Sequence, residues 1–588
     1  MPSRDFAPPT PHNRHSSASD FNNFTRPKKL IVCCDGTWMD SDNGYVKGSW
    51  GQPGRMQTPS NVTRIARAIS AEDDSKHAQI VYYQSGIGTG IGLTNHVLGG
   101  GTGIGLEENI REAYSFLASN YREKDHDMPG VPPDSIFLVG FSRGAYTARS
   151  IGGLLGAIGL LKKPAMSHFY EIFSDWMHAG DSSYTPLFFD SYFRTHKDVK
   201  ACGPAVELAR DKHRIDDYLD EYLKVLLAMD LTQEVQIRCI GVWDTVGALG
   251  VPVNPLVQQL VPFLPGFLRG YRWFDTRLDK HIDNAFQALA LDERRFPFTP
   301  TLWEKRSGSR TNLKQVWFPG SHSNVGGSYS DTGIADITLA WMMDQLSGNT
   351  SKHPHGYVAR DWIKFDDDYL WTSVGSEDPD TSPAHGPYRG WSKGKVYDTV
   401  YFPMSLTGTT VRAPARYHGT FWETGKPDGK RLLESTQEHV HSSVRARIDL
   451  GGRGIEPDWN QVFPNGLGIT PWLVLAWRKL TGRPPKPYQP QRKGGPLHGW
   501  RLEDGHVSHR EPNWDIDMSP VESRKISWVY EGEDQSCTRT MLEDKLGPYE
   551  LKLLQRDQKF AEQIMVSNDE WRWTVKETGR PPKRGHTF

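Results

Sequence analysis

The pentapeptide Gly140-Phe141-Ser142-Arg143-Gly144 constrains this chain more than any other stretch. Ser135 to Val139, just before it, is a short apolar run of strand length, too short for a core helix. Ala145 to Leu161, just after it, is carried by the helix formers Ala, Leu and Arg. A glycine two residues on either side of a serine, between a strand and a helix, is the layout of a nucleophile elbow. Its turn is so tight that neighbouring residues must lack a Cβ, and the serine is thrust out above a sheet. The following helix aims its N-terminus at the same point, where the amide of Arg143 is placed to hold a developing oxyanion. The same five letters also describe a turn whose serine merely caps the helix. A base, an acid and an oxyanion loop elsewhere in the chain must decide between the two.

The stretches around the elbow alternate strand and helix. Lys28 to Cys34 reads as a strand buried on both faces, because it is apolar without alternation. It runs into Asp35-Gly36-Thr37-Trp38. Ser60 to Ile69 starts with a cap residue and repeats apolar residues at helical spacing. Further strands are expected at 79–83, 236–243 and 313–318, and helices at 106–117 and 334–346. A helical insert is expected at about 167–229, with helices Ser167–Met177 and Ala205–Ala228. This order predicts an α/β fold with a mostly parallel sheet and helices on both faces. Ligands of such sheets bind at the carboxyl ends of the strands. Asp35, Ser142, Asp244 and His322 all fall at the carboxyl ends of these strands, so all four are expected on one edge.

A serine hydroxyl needs a base to become nucleophilic at neutral pH, and a histidine steadied by a buried carboxylate serves best. Ser142, Asp244 and His322 occur in the serine–acid–histidine order of α/β-hydrolases. His322 stands out among 21 histidines because it follows a buried strand and enters the glycine-rich turn to Gly327. Asp331 and Asp336 are rivals for the acid. Asp331 otherwise reads as a turn residue and Asp336 as a first-turn helix charge. Asp244 is favoured, because a carboxylate at the end of a buried strand is the costlier placement. Asp35-Gly36-Thr37 falls where an oxyanion loop is expected. A D-x-D-G-T phosphatase motif fails there, since its nucleophile position is Cys33. The glycines of 99–105 sit well beyond the preceding strand and lack the full G-x-G-x-x-G spacing of a dinucleotide site, and read as a flexible loop bordering a cleft. No cofactor and no metal is expected.

Taken together, Cys34 to Trp38, Gly140 to Arg149, Val242 to Gly247, Ala288 to Phe296 and Trp317 to Gly327 resemble a poorly characterised α/β-hydrolase family. That family includes the catalytic domains of bacterial type VI secretion phospholipase effectors; this chain is similar to a long, fungal-type member. The resemblance covers about 28–346. It implies a lipolytic or esterolytic Ser-Asp-His site carried on Ser142, Asp244 and His322; Asp35, Gly36, Thr37 and Arg143 are the oxyanion and support candidates read from the strand ends and the elbow helix themselves. Two departures stand out. Ser323-Asn324 follows the histidine where an Asp is frequent, and the large C-terminal part is unlike the bacterial effectors.

Between Asp244 and His322, residues 251–268 are densely apolar, yet four prolines and a glycine bar a long helix or a central strand. The segment reads either as core packing or as a lid, with Leu260, Phe263 and Phe267 sheltering an acyl chain. Residues 1–27 are polar and read as disordered. Beyond 346 the chain becomes loop-rich, but 12 of its 20 tryptophans lie there, so a folded accessory region over 347–588 is expected. In it, Ser435-Thr436-Gln437-Glu438 reads as a capping box opening a helix to Ile448, and 541–563 as a helix.

The 69 basic and 70 acidic side chains nearly cancel, so no nucleic-acid partner is indicated. Five cysteines, three of them in apolar runs, fit buried thiols in a reducing compartment. No apolar run reaches the roughly 18 residues of a membrane span, and no signal h-region is visible. A soluble cytoplasmic enzyme acting on an acyl-ester or lipid substrate is the expectation, with transient contact to a membrane surface. A soluble-ester or thioester hydrolase, or an idle hydrolase fold used as a scaffold, are the alternatives. Oligomeric state is not legible.

Overall fold

The computed structural model describes residues 26–36, 45–46, 55–56, 58–86, 104–123, 131–179, 184–188, 215–246, 278–348, 361–366, 368–370, 389–400, 408–421, 426–457, 486–509, 521–532 and 539–555. One ten-stranded sheet organises them. Its strands, in chain order, are β1 (Lys29–Cys34), β2 (Gln79–Gln84), β3 (Ser135–Phe141), β4 (Ile237–Trp243), β5 (Asn284–Ala290), β6 (Asn312–Phe318), β7 (Glu438–His441), β8 (Trp500–His509), β9 (Val521–Tyr530) and β10 (Thr540–Asp544). Across the sheet they stand in the order β8-β9-β10-β7-β6-β5-β4-β3-β1-β2. From β2 to β10 every pairing is parallel; only β9 and β8 run antiparallel to their neighbours. The elbow strand β3 therefore lies inside the sheet, between β1 and β4.

The central strands are apolar without alternation because both faces are covered. Leu30, Val32, Ile136, Leu138, Ile240 and Val242 enter one core. Ile31, Cys33, Phe137, Val139, Cys239 and Trp243 enter the other. Helices α2 (Ile104–Asn120), α3 (Arg143–Ile158), α4 (Phe169–Met177) and α5 (Ile215–Ala228) seal the first. Helices α1 (Asn61–Ala68), α7 (Gly333–Leu346) and α9 (Pro548–Gln555) seal the second. A two-faced parallel sheet of this kind explains why Cys33, Cys34 and Cys239 are buried free thiols. The Ser60 cap of α1 forms as expected, its hydroxyl accepting from Thr63 N at 3.2 Å.

Several expectations need correction. Asn284–Ala290 was not recognisable as a strand, yet β5 is the sheet's centre and fully buried. The capping box at Ser435 opens no helix. Ser435 and Gln437 have positive φ, Glu438–His441 is strand β7, and the helix is α8 (Ser442–Asp449), capped by His441. Tertiary partners override the local signal there: the Glu438 carboxylate accepts from Trp317 Nε1 at 2.8 Å and Ala415 N at 2.8 Å. Likewise 541–563 starts as a strand, β10, before α9 begins at Pro548. Asp344 of α7 holds the start of α9, accepting from Tyr549 N and Glu550 N at 2.9 and 3.1 Å, which satisfies first-turn amides with a negative charge.

No edge of the sheet falls at 346. Four of the ten strands lie beyond it, and Trp500, Trp528 and Met541 pack with Trp317 and Leu289 in a third core. The C-terminal region thus shares the sheet instead of packing on it as an accessory. Residues 1–25, 205–214, 251–268 and 458–485, including Leu260, Phe263 and Phe267, are outside the described residues.

Candidate active site

The site sits at the carboxyl edge of β1, β3, β4 and β6. Ser142 follows β3 with φ 59° and ψ −121°, a strained conformation for a residue with a Cβ. Its amide donates to Trp243 O at 3.1 Å, extending the β3–β4 pairing by one residue. The flanking glycines are required by close approach. A Cβ on Gly140 would stand 2.4 Å from Gly144 O, and one on Gly144 would stand 2.2 Å from Cys34 O. The strand-to-helix turn expected from the pentapeptide is therefore present, and α3 begins at Arg143.

On the adjacent strand, Asp244 follows β4 and is fully buried, with φ 39°. Its Oδ2 lies 2.6 Å from His322 Nδ1, and its Oδ1 accepts from Ala290 N at 2.9 Å. Arg412 grips the same carboxylate with two prongs, at 2.9 Å to Oδ1 and 3.0 Å to Oδ2. Burial drives the Asp244 pKa up, but the Arg412 charge and the bonds from His322 and Arg412 outweigh it. The carboxyl is held well below its ordinary range. His322, also buried, has its pKa lowered, first by desolvation and against the pull of Asp244. The imidazole is thus neutral near pH 7, with the Asp244 contact assigning the proton to Nδ1.

His322 opens α6 (His322–Gly326), a single turn closed by a capping box between Ser321 and Asn324. The Asn found where an Asp is frequent is this cap, and its Oδ1 also accepts from Tyr397 N at 3.1 Å. The imidazole is held between rings. Phe141, the residue before Ser142, lies 4.6 Å from it, and Phe298 meets it edge-on at 4.9 Å. A Cβ on Gly326 would stand 2.0 Å from the Phe141 ring, so this glycine admits the contact. Neither Ser142 Oγ nor His322 Nε2 is hydrogen-bonded to another described residue.

The rivals for the acid are engaged elsewhere. Asp331 accepts from Arg389 Nε at 2.6 Å, and Asp336 pairs with Arg64 at 2.6 Å. Asp35 lies at the expected edge, with its carboxylate engaged by its own neighbours. Its carboxylate accepts from Ser60 Oγ, Thr63 Oγ1, Tyr83 Oη and its neighbour Gly36 N, all at 2.7–2.8 Å. Desolvation raises its pKa against those bonds. Asp35 is an anchor for the loop, and the Gly36 amide is taken up by it. Gly36 nevertheless approaches the serine: a Cβ on it would be 3.5 Å from Ser142 Cβ. Thr37 is outside the described residues. Burial lowers the Arg143 guanidinium only to about 10, so it stays charged at neutral pH.

Three site residues escaped the sequence reading. Glu293, past β5, accepts from His322 N at 3.1 Å and pairs with Arg295. Arg295 stacks on Phe298 at 3.5 Å. Arg412 comes from the C-terminal part. The run Glu293-Arg294-Arg295 was visible within the resemblance, whereas nothing local marks Arg412. Among the described residues no group of three His, Cys, Asp or Glu side chains is placed to hold a metal, and no helix is long and apolar enough to cross a membrane.

The chain belongs to the family of type VI secretion, phospholipase effector Tle1-like catalytic domains, whose model matches residues 28–345. That membership supports a lipase-like hydrolase. A curated relative, the uncharacterized protein YEL023C of Saccharomyces cerevisiae (strain ATCC 204508 / S288c), is 23% identical over 421 residues. The match takes in 54% of this chain and 56% of that relative, so the chain spans little more than half the relative's length.

Proposed function

We propose that this chain is an α/β-hydrolase-type serine hydrolase that cleaves carboxylic esters of acyl lipids. Ser142 is its nucleophile, His322 its base and Asp244 the acid that orients the base. The observation that carries this reading is the 2.6 Å contact of His322 Nδ1 with buried Asp244, one strand from the strained Ser142. With Nδ1 committed to Asp244, Nε2 is the nitrogen that takes the Ser142 proton as Oγ attacks the ester carbonyl. The Oγ–carbon bond forms, and the carbonyl electron pair moves to oxygen. The amide of Arg143, at the N-terminus of α3, is one donor placed for that charge. Collapse expels the alcohol, protonated by His322. Water then repeats the sequence on the acyl-enzyme and releases the fatty acid.

The test is labelling by a fluorophosphonate probe together with fatty-acid release from phospholipid vesicles. Wild type should label and turn over, while Ser142→Ala should do neither and remain folded. A Ser142→Ala protein that still forms the covalent adduct would overturn the assignment. Release from soluble short esters alone would leave the serine mechanism standing and remove the lipid substrate.

A further inference from the structure

Arg412 lies beyond the residues matched by the family model, yet it reaches the centre of the site. Its guanidinium and the Asp244 carboxylate are both fully withdrawn from solvent. The two-pronged pairing uses both terminal nitrogens, and Nη2 also donates to Phe298 O at 2.7 Å. Phe298 is the residue whose ring rests on His322. One guanidinium therefore fixes the acid and the backbone that carries a wall of the base. Its Nε is buried with no hydrogen-bond partner among the described residues. A buried unsatisfied donor is costly, so packing alone does not explain this placement.

We propose that Arg412 is a positioning residue that holds Asp244 in register with His322, so that the C-terminal part of the chain completes the catalytic site. This rests on the serine hydrolase reading. A planar fork fixes both carboxylate oxygens at once, which a lysine ammonium cannot do. The clamp also sets how strongly the acid favours the imidazolium. The charged groups facing His322 are Asp244 from β4, Glu293 and Arg295 from the segment after β5, and Arg412 acting across Asp244. Removing the Arg412 charge leaves the Asp244 carboxylate less compensated. The imidazolium is then favoured, so the base becomes neutral only at higher pH.

The experiment compares wild type with Arg412→Met and Arg412→Lys, each normalised to active sites titrated with the fluorophosphonate probe. Arg412→Met should lower kcat on the order of ten- to a hundredfold, the range seen when a group that orients a ligand is lost, with KM near wild type. The acid limb of its kcat/KM profile should move to higher pH. Arg412→Lys should lower kcat by a smaller factor and leave the acid limb where wild type has it, because the charge remains. A merely structural arginine would reduce the titrated fraction while leaving kcat per site and the acid limb unchanged, and that result overturns the proposal. If Arg412→Met does not fold, wild-type kcat per site in Arg412→Lys overturns it equally. A wild-type protein that neither labels nor turns over defeats the hydrolase reading itself, and the positioning role with it.

Discussion

The backbone amide of His322 donates to Glu293 Oε2 at 3.1 Å, so a carboxylate 29 residues earlier in the chain fixes where the histidine's turn begins. Burial would raise the Glu293 pKa, but Arg295 and the surrounding donors hold it down at about 2. Glu293→Gln should lower kcat about ten- to a hundredfold, since a charge-assisted bond to the amide is worth about 1.5–3 kcal/mol. KM should change little, because Glu293 is fully buried and acts through His322. Steady-state kinetics, with melting temperature as a control, checks this; a rise in KM at constant kcat would remove Glu293 from the catalytic arrangement.

Asp244→Asn keeps shape but presents an amide to His322 Nδ1, favouring the wrong tautomer. A loss on the order of 10⁴ in kcat is expected, the size of the effect when the triad aspartate of a serine protease is changed in the same way. Asp331→Asn should leave kcat within a few fold, since Asp331 answers to Arg389. Losses in the reverse order would put the acid elsewhere.

Two glycines of the elbow helix should behave oppositely. Gly153 is exposed in the middle of α3, and a Cβ there meets nothing within 4 Å. Gly153→Ala should raise stability by about 0.5–1 kcal/mol through helix propensity and a less flexible unfolded chain. Gly144→Ala drives a Cβ to 2.2 Å from Cys34 O, a backbone atom with nowhere to go. It should abolish soluble folded protein. Thermal melts of the two variants decide the matter.

Asp292 is buried, and its pKa is pushed up to about 6, desolvation outweighing the bonds from Gly320 N and Tyr488 Oη. An acid whose folded pKa is raised penalises the fold above that pKa and loses the penalty below its unfolded value, near 3.9. Asp292→Asn retains an acceptor for both donors. It should therefore be more stable than wild type at pH 8, by up to about 3 kcal/mol. The difference should vanish near pH 4. Denaturant melts at the two pH values test it, and equal gains at both would reject the charge explanation.

A chain cut at residue 346 should not give a stable fold. It would bare the β7-facing edge of β6 and the fully buried Trp317, and remove Arg412 from Asp244. An unpaired buried charge alone costs about 3–5 kcal/mol, a large part of a domain's stability. Soluble yield and a cooperative melt are the readouts; a truncated protein with wild-type melting would show that the C-terminal strands are dispensable.

What the sequence determined by itself was local. The β3–turn–α3 unit was legible because Gly140 is fixed by sub-3 Å approaches to Gly144 and Ala145 within the same turn, although Gly144 answers to Cys34 on the neighbouring strand. The apolar runs of β1, β3, β4 and β6 announced a sheet covered on both faces, and strand ends placed Ser142, Asp244 and His322 on one edge. Tertiary structure decided whatever depends on partners far along the chain. Glu438 abandons its capping-box role because Trp317, 121 residues earlier, donates to it within the sheet. Asp35 becomes an anchor because Ser60, Thr63 and Tyr83 converge on its carboxylate. Arg412 meets Asp244 across 168 residues. A buried charge must find its counter-charge wherever the fold brings one, and no local spacing encodes that pairing.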